Sequence, residues 1–221
     1  MGAFEALSNY YDQPLDACAM ELGYHISNIY ILRGDENRLR AECPQIYENL
    51  ISCRHNRDRR TPIEYGQDLV ASWIFEDKLI ADLRNWGLPI EKAGADRERM
   101  ILSTRHVSAG SDTRININDN EMYMEIMCDY KGYWSRYLTA ELRDDKFTRL
   151  SRENALFLGV DVVNDRYMLI DFSKNVEARY IASHFAYGGK PAYSLSLRRY
   201  VLTPTDYRRI AEEIIQISQD R

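Results

Sequence analysis

Between positions 112 and 131 two alternating runs flank a short polar turn, and no other feature limits the fold as much. Residues 112–118 (Asp-Thr-Arg-Ile-Asn-Ile-Asn) alternate polar and apolar, and residues 121–131 (Glu-Met-Tyr-Met-Glu-Ile-Met-Cys-Asp-Tyr-Lys) resume after Asp119 and Asn120. A period of two is that of a strand, and Asp119 and Asn120 suit a two-residue hairpin turn. Strand alternation puts Tyr123, Glu125, Met127, Asp129 and Lys131 on one face. Met122, Met124, Ile126, Cys128 and Tyr130 form the other, an apolar face that needs a helix to cover it.

A helix of suitable length precedes the hairpin. Thr61 is placed to cap it, Pro62 suits its first position, and Glu64 follows the cap by three residues, as in a capping box. Ile63, Leu69, Val70, Trp73, Ile74, Ile80, Leu83 and Trp86 trace an apolar stripe until Gly87 and Pro89 end the pattern. Upstream, residues 15–32 and 38–53 also read as helical, separated by Gly34-Asp35-Glu36-Asn37. Downstream, residues 100–107 read as a strand, 135–145 as a helix, and 155–163 with 166–172 as a strand pair about Asn164 and Asp165. Residues 180–201 are aromatic and strand-like, broken by Gly188-Gly189-Lys190-Pro191, and a capped helix follows Asp206. The expected fold is α/β, a central mixed β-sheet flanked by helices. Residues 1–60 form a helical N-terminal extension and 61–221 an α/β core, together one compact domain.

Composition excludes several classes. The 29 Lys and Arg against 34 Asp and Glu give a net charge of −5, so the chain is no bulk polycation coating nucleic acid, although a local basic patch stays possible. No apolar run reaches the roughly 18 residues of a membrane span, and the first 19 residues lack a basic region before an apolar one. The expectation is an intracellular, cytoplasmic protein. Cys18, Cys43, Cys53 and Cys128 show no zinc-ligand spacing and read as reduced. Phosphate-cradling loops and nucleophile elbows are absent.

The chemistry-bearing residues converge on the hairpin. Asp129 and Lys131 are same-face neighbours at the end of an apolar strand, and a turn at Asp119 and Asn120 brings Asp112 to that end. Acidic-x-Lys triplets arise by chance about once or twice in a chain of this size. Glu76-Asp77-Lys78 and Asp144-Asp145-Lys146 also occur here, but only Asp129-Tyr130-Lys131 closes an apolar strand with an acid opening the one before.

This arrangement resembles the PD-(D/E)XK nuclease superfamily, which includes many type II restriction endonucleases. The likeness runs from about Glu64 to Phe172, with Ser111 in place of the proline and Met127 denying Glu125 the lysine it would need. The resemblance implies a Mg²⁺-dependent DNA endonuclease of restriction-endonuclease-like fold, with Mn²⁺ able to substitute. Asp112 and Asp129 would hold the metal, Lys131 would orient water, and Glu64 would be an accessory catalytic residue. Cutting a palindromic site implies a homodimer. Phosphate contacts would come from Arg54, Arg57, Arg59 and Arg60, and from Lys190, Arg198 and Arg199. Plainer readings stand beside these: a capping box accounts for Glu64, a surface ion pair for Asp129 and Lys131, and solvated loops for the arginines. On those readings the chain is a non-catalytic nucleic-acid- or protein-binding module.

Overall fold

The computed structural model describes residues 2–53, 60–103, 110–200 and 202–221. Two compact units divide them, one from the described residues of 1–79 and 93–110, the other from those of 80–92 and 111–221.

The first unit is helical. It holds α1 (Ala3–Tyr11), α2 (Leu15–Glu21), α3 (Ile26–Leu32), α4 (Glu36–Glu42), α5 (Pro44–Cys53) and most of α6 (Pro62–Asn85). Each of the two expected upstream helices is in fact two short ones. Gly23, at φ 72°, closes α2, with the Tyr24 N–H donating to the Ala19 carbonyl and the Gly23 N–H to that of Met20. Pro44 separates α4 from α5, because it disfavours helical backbone at Cys43 and opens the next helix instead. The capping box at the start of α6 forms as read, with the Thr61 N–H donating to Glu64 Oε2 (2.6 Å) and the Glu64 N–H to Thr61 Oγ1 (3.2 Å). The single stripe expected along α6 does not describe it. Ala71, Phe75 and Leu79 are as buried as Val70, Trp73 and Ile74, while Trp86 is 53% exposed. A helix enclosed on several sides needs apolar residues around its girth.

The second unit is the α/β layer. A six-stranded mixed sheet runs β1 (Ile90–Lys92), β2 (Thr113–Ile117), β3 (Asn120–Asp129), β5 (Leu156–Asp161), β6 (Arg166–Asp171), β9 (Thr203–Pro204), with β3 and β5 parallel and the other neighbours antiparallel. Between β3 and β5 come α7 (Tyr133–Tyr137), β4 (Thr139–Arg143) and α8 (Asp144–Glu153). A second sheet orders β4, β8 (Ala192–Ser196) and β7 (Ala178–Ile181), all antiparallel. Trp134, Leu142, Leu150, Phe157, Met168 and Leu195 belong to the core of this unit, and Tyr123 and Met127 of β3 pack against it. Both faces of β3 are therefore covered, including the face expected to carry charge. The C-terminal helix α9 (Tyr207–Gln219) is capped by Asp206, whose carboxylate accepts from the N–H groups of Arg208 and Arg209.

Three local readings need correction. The hairpin turn is Asn118 and Asp119, with φ of 50° and 63°, one residue earlier than expected; a type I′ turn needs φ above zero at both positions, which this pair tolerates. Residues 139–143 are strand β4 rather than helix, because pairing with β8 overrides local helix preference, and the helix runs from Asp144 instead. Met100 to Ser103 are irregular, and the remainder of that expected strand lies outside the described residues. A strand at Ile90–Lys92 pairs with β2 in register Ile90↔Ile115.

Candidate active site

The turn shift decides which acids meet. A turn at Asp119 and Asn120 would set Asp112 opposite Met127, one same-face step from Asp129. The observed pairing ends at Thr113 with Met124, and Asp112, one residue before it, accepts the Ile126 N–H on its Oδ2 at 2.8 Å. Asp129 lies three residues beyond Ile126, roughly 10 Å along the strand. The Asp112 carboxylate therefore meets β3 at Ile126, the residue after Glu125 and three residues before Asp129.

Glu125 is 3% exposed in its side chain, near the middle of a strand covered on both faces. A carboxylate there must be paired or neutralised. Helix α8 supplies the pairing: Lys146 Nζ contacts Oε1, and Arg149 donates to Oε2 at 2.5 Å. Their side chains are 25% and 11% exposed. One turn further, Glu153 Oε2 accepts from Ser111 Oγ at 2.9 Å. Positions 146, 149 and 153 share a helix face, so one face of α8 holds both the central carboxylate and the loop bearing Asp112. Asp144 and Asp145 in the first turn of α8 suit the positive end of its dipole. Ser111 supplies the hydroxyl for this link.

Asp129 has other work. Its Oδ1 accepts the Lys131 N–H (2.9 Å) and its Oδ2 the Trp134 N–H (2.7 Å), so it shapes the turn into α7. Its parallel neighbour Asp161 is likewise engaged, by the Ser135 hydroxyl (2.5 Å) and by the backbone and side-chain N–H groups of Asn164. Lys131 is exposed, with Nζ 5.8 Å from the Tyr133 ring centre. Glu64 is in the first unit, where it closes the capping box.

Among the basic candidates, Arg60 pairs with Asp68 (2.7 Å) and lies over the Tyr65 ring, and Arg199 pairs with Glu177 (2.6 Å). Lys190 and Arg198 are exposed. Arg54, Arg57 and Arg59 lie outside the described residues.

Sequence reasoning passed over Lys146 and Arg149. The signal was available in Glu125, a charge amid an apolar run that demanded a cation, and in two bases three residues apart on a strongly amphipathic helix. Both Asp112 and Glu125 offer hard oxygen donors of the kind a magnesium ion takes, with water completing its shell. Among the described residues no group of three or more His, Cys, Asp and Glu side chains converges as a ready metal cage. No described helix is long and apolar enough to cross a membrane.

No protein-family model matches this chain and no curated protein matches it in sequence. Among solved structures it is similar to Hjc, a Holliday junction resolvase of the archaeal hyperthermophile Archaeoglobus fulgidus, at 12% identity and a TM-score of 0.37, over 62% of this chain and 93% of that one. At that distance no residue role is transferred.

Proposed function

We propose that this protein is a divalent-metal-dependent DNA endonuclease of the PD-(D/E)XK type, with Asp112 and Glu125 as its metal-binding carboxylates and Lys146 as its active-site cation. The carrying observation is the cluster itself: a buried Glu125, an acid that accepts the N–H of the adjoining Ile126, and a lysine on the glutamate's carboxylate. Met127 occupies the position where the pattern wants a lysine, and Lys146 brings an ammonium to the same glutamate from α8.

Phosphodiester hydrolysis needs an oriented water and neutralisation of the charge that grows on the phosphate. A divalent ion held by Asp112 and Glu125 would supply a water of lowered pKa and neutralise phosphate charge. Lys146 would orient the attacking water and stabilise the negative charge that grows on the phosphate. Arg149 fixes the Glu125 carboxylate from its second oxygen, and the Ile126 N–H holds Asp112 at Oδ2. Asp129 and Lys131, which the sequence pattern favours, are the alternative placement of the second carboxylate and the base. A restriction activity and a homodimer acting on a two-fold site belong to the same proposal.

One observation favours a second reading. Both Glu125 oxygens already contact cations, so the cluster also works as an internal clasp between α8 and β3 in a non-catalytic binding module.

Two assays separate these readings. Plasmid cleavage is followed in about 10 mM Mg²⁺, enough to fill a weak carboxylate site, with an EDTA control. Melting temperature is followed on Mn²⁺ addition for wild type, Asp112→Asn and Asp129→Asn. The proposal expects cleavage abolished by EDTA and by Asp112→Asn, and a Mn²⁺ shift that persists in Asp129→Asn. No cleavage and no shift in the wild type would leave the clasp.

A further inference from the structure

The chain is net acidic, yet residues 178–200 contain Arg179, Lys190, Arg198 and Arg199 and no Asp or Glu. Strands β7 and β8 pair across this segment in register Tyr180↔Tyr193, and a short helical turn, Phe185–Tyr187, lies between them. The connection is tightly self-bonded. His184 N–H donates to the Lys190 carbonyl (2.9 Å), Gly189 N–H to that of His184 (2.9 Å), and Lys190 N–H to that of Tyr187 (3.2 Å). It is also anchored to β4, because the Tyr187 hydroxyl donates to the Glu141 carbonyl (2.6 Å) and His184 Nε2 lies 3.0 Å from Glu141 Oε2.

On this braced turn the Phe185 side chain is 99% exposed, and Tyr180 is 55% exposed. A fully exposed aromatic ring contributes nothing to the core of its own chain, and a bonded turn presents it with little ordering to do on contact. Arg179, Lys190 and Arg198 are exposed and make no ion pair among the described residues. Cations that pair with no carboxylate fit a polyanion, and an exposed aromatic ring on the same segment fits the face of a base.

We infer that residues 178–200 form a nucleic-acid arm in which Phe185 stacks on an unpaired base while Lys190 holds the adjoining phosphate and Arg179 and Arg198 hold phosphates further along the strand. Within continuous duplex each base is stacked on both sides, so the ring finds a face only at a gap, a single-stranded tail or an unstacked step. The inference rests on the nuclease reading for its DNA partner and narrows it to interrupted DNA.

The test is fluorescence anisotropy in EDTA on two labelled DNAs of equal length, a blunt duplex and a duplex with a single-stranded tail, beside plasmid cleavage in Mg²⁺. The wild type is expected to prefer the tailed DNA. Phe185→Ala should weaken that complex roughly tenfold or more and leave the blunt one unchanged, and Phe185→Trp should restore it. Lys190→Ala should weaken both and lower the salt slope by about one. Phe185→Ala binding tailed DNA like the wild type, in a protein that still cuts plasmid, overturns the arm and leaves the nuclease standing. Tailed-DNA binding that depends on Phe185, in a protein that never cuts, does the reverse. A wild type that binds neither DNA, or a sedimentation experiment in which Phe185→Ala dissolves a dimer, gives the ring to another role and overturns the inference.

Discussion

At Glu125 a carboxylate of 3% exposure is balanced by two cations, and that balance sets what each substitution does. Glu125→Ala removes the carboxylate that Lys146 and Arg149 both contact, and unfolding in urea should show a loss of about 3–5 kcal/mol. Lys146→Ala is milder, about 1 kcal/mol, because Arg149 still neutralises the glutamate and the lysine is the more exposed of the two. The same variant should cut DNA at least about a hundredfold more slowly, so activity and stability part company at this residue. Asp129→Asn is expected to behave in the opposite way. Losing one acceptor for two backbone N–H groups costs about 1–2 kcal/mol, with cleavage retained. Asp171 carries a pH signature. Burial pushes its carboxyl up, but the Ser173 hydroxyl and N–H and the Arg221 guanidinium outweigh it and hold the group below its usual range. A depressed carboxyl adds stability that is present above its unfolded pKa of about 4 and is lost as the pH falls through the folded value. Urea titrations from pH 5 to pH 3 should therefore show the advantage of wild type over Asp171→Asn shrinking with acid. A constant difference would remove that linkage.

At the scale of elements, the fold was largely legible where a local device sets a boundary. The capping box at Thr61 and Glu64 and the Asp206 cap were visible because both rest on residues close in sequence. Thr61→Ala should accordingly lower stability by about 1 kcal/mol, measured by denaturant unfolding. Strand β4 was not legible, because Thr-Ala-Glu-Leu-Arg takes its conformation from β8, which arrives some fifty residues later. The surroundings of Asp112 were misplaced for a related reason. A hairpin turn misplaced by one residue moves the cross-strand partner by two, from Glu125 to Met127, and the bases that answer Glu125 come from a helix read as ending where it in fact begins. Asp112 directly precedes β2 in either register. Gly159 in β5 shows close packing that no sequence pattern announces. A Cβ there would fall 2.5 Å from Met168 Cε and 2.8 Å from Trp134 Cζ3. Gly159→Ala should destabilise by about 1–3 kcal/mol, read as a lowered urea midpoint.

For the whole molecule, a net charge of −5 and a DNA substrate are compatible only if cations are segregated, and the acid-free stretch of 178–200 is such a segregation. On the proposed reading, catalytic and binding charges lie in different parts of the second unit: the half-buried pair on α8 would serve Glu125, and the exposed set would serve phosphate. Glu125 is the residue on which the proposed nuclease depends, and plasmid cleavage in Mg²⁺ by wild type, Glu125→Gln and Asp129→Asn, each first shown folded by circular dichroism, tests its role most directly. The expected result is cutting by wild type and by Asp129→Asn, none by Glu125→Gln, and none by any of them in EDTA. Cutting by Glu125→Gln at the wild-type rate, or an intact wild type that leaves DNA whole in both Mg²⁺ and Mn²⁺, would contradict it.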